Sequence, residues 1–213
     1  MLHLRFFLIF FLASFLPRVW AESDGQVWSS LTFNLFKKTA HSLSFYAEGR
    51  FRDNASEGYG YFFGPIYRYK ASPRITLGLG AKMIHFKGGS GFSKLHRIEA
   101  ETNIKFKDTG KWRFDNRTRY EYINREVGAA YNRWRARFRM NWKANRPGVI
   151  KGYFVSNEAF HRSEFGGISQ NRLVPFGMTW KLSEKLSFDT YLMYHYVHRS
   201  SENNYVLGIS LML

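Results

Sequence analysis

Charged side chains alternate with apolar ones along three segments of the chain, which can place a row of charges on one surface. The clearest case is Tyr131 to Trp142, where an arginine occupies every second position from Arg133 to Arg139. An amphipathic helix does not have a period of two, so this pattern predicts a β-strand with one charged face. The charged residues that the three segments bring together are Arg97, Glu99, Glu101, Lys105, Arg113, Asp115, Arg117, Arg119, Glu121, Arg133, Arg135, Arg137 and Arg139.

Cations outnumber carboxylates in this set, and the excess has two interpretations. In a pore, rings of arginine attract phosphate, sulfate or carboxylates, so the lumen would favour small anions. In a narrow barrel, the same charges pair with one another and fill the interior, because eight strands are just filled by side chains and ten enclose slightly more. We favour the filled, ion-paired structural barrel on this ground and retain the narrow anion pore.

Two His-x-Ser sequences lie where predicted strands end. His161 precedes Ser163, and His198 precedes Ser200. Residues two apart on a strand point to the same side, so each histidine can activate its serine as a nucleophile. The spacing resembles that of outer-membrane phospholipases and lipid A deacylases, although those enzymes follow the serine with asparagine and this chain does not. A motif this short is weak evidence, so a lipid hydrolase is the alternative function and a non-enzymatic barrel is preferred.

No other residue cluster has the pattern of a cofactor or metal site. The glycines between Lys87 and Lys94 lack the lysine and helix of a phosphate-binding loop, and a flexible hairpin is the better interpretation. The histidines have no metal-ligand spacing. The chain also contains no cysteine, so it can cross an oxidising compartment without forming a disulfide. We therefore expect neither a metal nor a cofactor.

The elements that position these residues are predicted to be strands. Most of the candidate segments reach the length of a tilted membrane-spanning strand, about 9 to 11 residues. An odd count conflicts with the even strand numbers of bacterial single-chain barrels. We therefore predict a ten-stranded wall that begins at His41, with 27–35 as an extra strand or inner segment, and keep twelve strands as the alternative. The segments fall at about 27–35, 42–52, 58–69, 74–86, 95–106, 112–123, 131–142, 149–161, 170–181, 186–198 and 204–213.

The connections between these segments alternate in predicted character. Barrels of this type place short turns in the periplasm and longer loops outside. The predicted orientation therefore puts the short turns and the carboxy-terminus in the periplasm. The short turns are at 37–39, 71–73, 108–110, 145–148 and 182–185, and the longer loops are at 53–58, 87–94, 124–130, 162–169 and 199–203.

The amino terminus has the features of a cleavable signal peptide. A charged start at Arg5 precedes an apolar run from Phe6 to Leu16 and a small-residue exit at Ala21. The run has about 11 residues, which is too short for a spanning helix of roughly 20. We therefore predict a signal peptide at residues 1–21, cleavage after Ala21, and a barrel domain at residues 22–213.

The overall composition is also typical of a membrane barrel. The formal charge is +16 and becomes about +14 when the signal peptide is removed. A soluble protein this basic would suggest a nucleic-acid partner, but export and the alternation of arginine with aromatic residues argue against one. The aromatic content of 19% and the negative mean hydropathy of −0.38 exclude a helical membrane protein. A barrel has both properties, since alternate residues face lipid and aromatic girdles mark the interfaces.

The last segment, Asn204 to Leu213, has an apolar residue at every second position up to the carboxy-terminus. Outer-membrane barrels present such an ending to their insertion machinery. Several further segments share features with one family: Trp28, Glu48 to Phe51, Gly64 to Tyr69, Arg113 to Tyr122, Asn157 to Phe160, Gln170 to Leu173 and Leu186 to Phe188. With them the chain resembles the outer-membrane barrels catalogued as domain of unknown function 2490. The resemblance spans nearly all of the mature chain and implies a fold and a location, but no activity.

These observations predict an all-β protein, a transmembrane antiparallel β-barrel of about 10 to 12 strands. We expect it in the outer membrane of a Gram-negative bacterium, reached by way of its signal peptide. The expected partners are outer-membrane lipids and lipopolysaccharide, the barrel-insertion machinery and small anions. Nucleic acid is not expected to bind.

Overall fold

The computed structural model describes residues 25–88, 91–106, 108–144, 148–198 and 200–213. The predicted signal peptide lies outside these residues. Within them, one short 3-10 helix is present at Ser163–Phe165, and no helix is long and apolar enough to cross a membrane. The strands are β1 (Gly25–Lys37), β2 (His41–Arg52), β3 (Glu57–Lys70), β4 (Ile75–Gly88), β5 (Gly91–Lys105), β6 (Trp112–Arg125), β7 (Tyr131–Lys143), β8 (Ile150–Arg162), β9 (Gly167–Lys181), β10 (Ser187–Val197) and β11 (Glu202–Met212).

Alternation along the sequence becomes alternation across the wall of the barrel. Ile98 is 63% exposed, whereas the next residue, Glu99, is 1% exposed. Successive side chains of a strand point to opposite faces, so the apolar set lies outside and the charged set inside. The predicted all-β membrane barrel is confirmed.

The barrel closes through a parallel pair. Each strand pairs in an antiparallel manner with the next one along the chain, and β1 then pairs in parallel with β11. At the end of this seam, the backbone N–H and side-chain amide of Asn34 both donate to the carbonyl oxygen of Leu213, at 3.1 Å and 2.7 Å. The Leu213 N–H donates to the carbonyl oxygen of Thr32 at 2.9 Å. Both edges of the sheet are therefore paired, as a membrane requires.

The closed wall described here has eleven strands, which lies within the predicted range of about 10 to 12, but the preference for an even number, ten or twelve, is wrong. The segment that we assigned to an extra or inner position forms β1 and pairs with β2 on one side and β11 on the other. An odd strand number also places Gly25 and Leu213 at opposite ends of the barrel. We refer to these as the Gly25 end and the Leu213 end.

The predicted difference in loop length is also wrong. The strands continue into the segments that we assigned to long loops, so the connections at the Gly25 end are no longer than those at the Leu213 end. β4 and β5, for example, pair as far as Gly88 and Gly91, so both strands extend into the glycine-rich segment. The connections at the Gly25 end are 53–56, 89–90, 126–130, 163–166 and 198–201, and those at the Leu213 end are 38–40, 71–74, 106–111, 144–149 and 182–186.

Aromatic side chains mark the outer face near the Leu213 end. Trp112 and Trp142 lie opposite each other on β6 and β7, with ring centroids 5.5 Å apart. Trp180 stacks on Phe188 at 5.6 Å. Such rings are typical of the level of lipid headgroups. Trp134, 52% exposed, lies nearer the Gly25 end and contacts Tyr120.

Candidate functional site in the lumen

Strands β5 to β7 bring all but one of the predicted charged residues together inside the barrel. Residues directly opposite in an antiparallel pair face the same side, so the register aligns Glu101 with Arg119 and then with Arg135. Lys105 lies at the exposed end of β5, outside this interior set. The other members with buried side chains are Arg97, Glu99 and Glu121. Those that are partly buried are Arg113, Asp115, Arg117, Arg133, Arg137 and Arg139.

Glu121 is the centre of the ion-paired network and is 0% exposed. Its two carboxylate oxygens accept hydrogen bonds from Arg135 at 2.8 Å and from Arg133 at 2.6 Å. The guanidinium groups of Arg97 and Arg119 lie 3.5 Å and 3.6 Å away. One carboxylate therefore has four cations around it, and this shared pairing compensates the cost of burying the charges.

Two further carboxylates extend the network toward β3 and β4. Arg119 lies 2.6 Å from Glu101, and Arg68 lies 3.1 Å from it on the other side. Glu99 lies 2.9 Å from Lys82 and 3.0 Å from Arg97. The network therefore runs along the inner wall and ties five adjacent strands, β3 to β7, together.

Glycines of β4 provide the space for two of these carboxylates. Gly78 and Gly80 lie opposite Glu101 and Glu99 in the β4–β5 register. A Cβ atom at either glycine would overlap the side chain of the facing glutamate. Glycine therefore alternates with leucine in Leu77 to Gly80 because the two glutamate side chains pack directly against the glycine backbone.

A second group of lumen charges was missed by the sequence analysis. We name five of its side chains, Trp28, Arg50, Glu158, Phe160 and Arg172, the Trp28 cluster. The guanidinium carbon of Arg50 lies 3.7 Å from the Trp28 ring centroid, and that of Arg172 lies 4.6 Å from it. All five residues occur in segments that carry the family resemblance. Those segments could therefore have been used to predict this cluster from the sequence. Further charges that were missed are Glu48, Arg68, Lys82 and Asp189.

The lumen contains a cavity of about 330 Å³ bounded by both groups. That volume has room for many water molecules, since a cavity needs only about 10 to 15 Å³ of such space to hold one. Ten cationic and three acidic side chains line it among the described residues. The cations are Arg50, Arg68, Lys82, Arg97, Arg117, Arg119, Arg135, Arg137, Arg139 and Arg172, and the acids are Glu48, Glu158 and Asp189.

The His-x-Ser pairs are not placed on a common strand face. β8 ends at Arg162, and Ser163 begins the 3-10 helix. His198 and Ser200 both follow the end of β10, in the connection to β11. The alternation argument behind these two sites therefore does not hold. Among the described residues, no hydrogen bond links His161 to Ser163, and no group of three or more His, Asp or Glu residues could hold a metal ion.

The two ends of the barrel differ in charge. At the Leu213 end, each of the five turns is flanked by two basic residues, with Asp108 and Glu184 as the acids among the described residues. In the turn at 106–111, a hydrogen bond from Lys143 Nζ, 3.0 Å away, holds the pKa of the Asp108 carboxyl below its ordinary value. We name the ten basic residues the basic rim: Lys37, Lys38, Lys70, Arg74, Lys105, Lys111, Lys143, Lys151, Lys181 and Lys185.

Solved structures show likeness to this fold at low sequence identity. A bacterial polysaccharide outer membrane secretin has 9% identity over 81% of this chain and 74% of that chain, with a TM-score of 0.50. An anion-selective porin from Comamonas acidovorans has 11% identity over 83% of this chain and 54% of that chain, with a TM-score of 0.42. This chain thus spans about half of that porin. The likeness to the secretin concerns the fold alone.

No curated protein matches the sequence. A family model does match it, over residues 25–206, and that range includes every member of the Trp28 cluster and of the Glu121 network. The chain belongs to the family described as "Protein of unknown function (DUF2490)".

Proposed function

We propose that this protein is an outer-membrane β-barrel whose narrow, cation-lined lumen admits small anions. One observation carries the proposal: ten cationic and three acidic side chains line the cavity. Fixed positive charge along a narrow path attracts anions and repels cations. The export signal predicted from the sequence, the closed wall and the apolar outer face support the location in the outer membrane.

The ion-paired network limits the size of the solute. Side chains just fill an eight-stranded barrel, so an eleven-stranded one leaves little free space, and the network occupies the inner wall from β3 to β7. Inorganic phosphate, chloride or a short carboxylate matches the space of about 330 Å³ better than a sugar chain does. The same network also favours the second candidate function, a filled barrel with a structural role, which would not conduct.

Conductance of the refolded mature chain in a planar bilayer tests the proposal. We expect a reversal potential in a salt gradient that indicates anion preference. Arg137→Gln combined with Arg139→Gln should lower that preference, because Asp115 and Asp189 would then remain without their cations. Arg125→Gln is the matched control, since Arg125 packs on Tyr131 at the Gly25 end, away from the cavity. A wild-type protein that does not conduct, or that prefers cations, would contradict the pore and leave the filled barrel.

We also propose that the basic rim contacts phosphate groups of outer-membrane lipids. Its residues flank all five turns, so they surround the barrel as lipid does, whereas a protein partner would touch one side. Lysines near an anionic surface each contribute about 1 kcal/mol of attraction. Lys70→Gln, Lys105→Gln and Lys111→Gln together should reduce the anionic lipid retained in purification, as measured by mass spectrometry. Replacement of Lys87, Lys94 and Arg125 by Gln is the control. If both triple variants lose the same amount of anionic lipid, the proposed contact between the basic rim and lipid phosphates is wrong.

A further inference from the structure

Arg172 is a mostly buried cation that makes no side-chain hydrogen bond to any of the described residues. Its side chain is 12% exposed, and its Nε has no hydrogen-bond acceptor among the described residues. The nearest carboxylate oxygen, on Glu158, lies 3.9 Å from Nη1, which is beyond hydrogen-bond distance. A guanidinium group has five N–H donors, and burying them unpaired is unfavourable.

Glu158 is already occupied by other arginines. It accepts a hydrogen bond from Arg117 at 2.9 Å and another from Arg135 at 2.8 Å. The other nearby carboxylate, Glu48, pairs with Arg50 and accepts a hydrogen bond from Tyr46. Both acids therefore direct their hydrogen bonds to other side chains, and Arg172 has only the long ion pair to Glu158.

Two aromatic rings hold Arg172 beside other guanidinium groups. Its guanidinium carbon lies 4.6 Å from the Trp28 ring centroid and 4.5 Å from that of Phe160. Arg50 packs on the same Trp28 ring, and Arg135 packs on the same Phe160 ring at 4.5 Å. Three guanidinium groups thus meet around two rings, with two carboxylates among them.

These groups face free space. Arg50, Arg135 and Arg172 all line the cavity of about 330 Å³, together with Trp28 and Tyr191. The cavity offers buried N–H donors in excess of acceptors, next to room for a small molecule. Planar guanidinium groups match the two oxygens of a carboxylate or a phosphate and bind them through charge-assisted hydrogen bonds.

We propose that Arg172, with Arg50 and Arg135, forms a binding site for one small oxyanion in the lumen. This inference rests on the proposed function, since the anion must reach the lumen, and it adds a specific saturable site to a general preference. The net charge of the three arginines and two glutamates fits one bound anion. A phosphate or a short carboxylate would complete the donors of Arg172 and stay within contact of the Trp28 ring.

Binding to the refolded mature chain tests the site. Inorganic phosphate and acetate are titrated separately at constant ionic strength, with chloride as the reference, and tryptophan fluorescence is measured. The same titrations of Trp28→Phe identify the part of the emission change that comes from the Trp28 ring. We expect saturable binding of at least one probe, and the two titrations distinguish a phosphate site from a carboxylate site. Arg172→Gln should weaken binding by about tenfold or more, the usual effect of losing a hydrogen bond to a charged group.

Two variants control for charge and for folding. Arg172→Lys keeps the charge but loses the planar fork, and it should bind with intermediate affinity. Arg125→Gln makes the same charge change outside the cavity, where Arg125 packs on Tyr131 at the Gly25 end, and it should leave binding nearly unchanged. Linear titrations for both probes, or equal loss in Arg125→Gln and Arg172→Gln, would overturn the site.

Conductance of the same variants separates this site from the proposed function. Arg172→Gln should lose saturable binding yet keep most of the anion preference, because nine other cations line the cavity. A wild-type barrel that binds phosphate or acetate without conducting would support the site and reject the pore. A wild-type barrel that conducts anions without saturable binding would do the reverse.

Discussion

Trp28 of β1 and Gly208 of β11 lie directly opposite each other in the parallel pair that closes the barrel. Gly208 also lies opposite Tyr191 of β10, and a Cβ atom at Gly208 would overlap the Tyr191 ring. The missing side chain therefore lets two large rings pack at the seam, beside the cavity that they both line. Gly208 therefore contributes both to the seam that closes the wall and to the packing of the rings that line the cavity.

The parallel seam can be tested with a cysteine pair. Ser30 and Ser210 are register partners, and their hydroxyl oxygens are 2.9 Å apart. Ser30→Cys with Ser210→Cys should form a disulfide on mild oxidation, because paired strand positions have suitable Cα separations. The natural chain has no cysteine, so a shift in gel mobility reports this bond alone. Ser30→Cys with Ser187→Cys, which are not partners, should not cross-link, and the absence of a cross-link in the first pair would argue for a ten-stranded wall.

Gly208→Ala should destabilise the barrel by about 1 to 3 kcal/mol, the usual cost of overfilling a packed interior. The Tyr191 ring must move to admit the new methyl group. Equilibrium unfolding in urea, monitored by tryptophan fluorescence, measures the change. Gly148→Ala is the control, because a Cβ atom there meets nothing within 4 Å. Equal effects of the two substitutions would contradict the packing at the seam.

Glu121→Gln should destabilise the barrel by about 3 to 5 kcal/mol, as expected when one partner of a buried ion pair is removed. The reason is that Arg133 loses its carboxylate and Arg135 keeps only Glu158, while both guanidinium groups remain in the interior. The same unfolding measurement applies. Glu164→Gln, at the Gly25 end, removes a partly exposed carboxylate that pairs with Arg162 and should change stability by about 0.5 kcal/mol or less. A small effect of Glu121→Gln would mean that water reaches the network.

The two faces of β7 should tolerate charge differently. Phe138 is 49% exposed on the outer face, and Phe138→Arg should cost about 2 to 4 kcal/mol in lipid. Arg137→Gln should cost less, because Asp115 keeps a hydrogen bond from Asn141 at 3.0 Å. Unfolding from lipid vesicles gives both values. The reverse ranking would show that the faces of this strand are inverted.

Substitution of Ser163, at the Gly25 end, should leave membrane lipids unchanged. Ser163 lies in a 3-10 helix beyond the end of β8, so His161 is not held beside it as a base. We expect the wild-type protein and Ser163→Ala to release no acyl chains from phospholipid or lipid A, as measured by lipid mass spectrometry. Release by the wild type that is lost in Ser163→Ala or Ser200→Ala would establish the hydrolase instead.

The strand pattern and the inward charges were determined by the sequence itself. From Arg133 to Arg139, the period of two identifies both the strand and its charged face without knowledge of any neighbour. The same local signal predicted the sets on β5 and β6. It did not predict where the turns lie. The glycines and serines between Lys87 and Lys94 are typical of a loop, and they led to the prediction of a long loop there, although β4 and β5 continue to pair into this segment.

Closure and the Trp28 cluster were decided by the tertiary structure. Whether β1 joins the wall depends on backbone hydrogen bonds between Thr32 or Asn34 and Leu213, at the other end of the sequence, and no local pattern encodes them. Trp28 and Arg172 are likewise separated by most of the chain, and each is unremarkable in its own strand. They meet because the barrel closes, and closure leaves Arg172 facing the lumen with more hydrogen-bond donors than nearby acceptors.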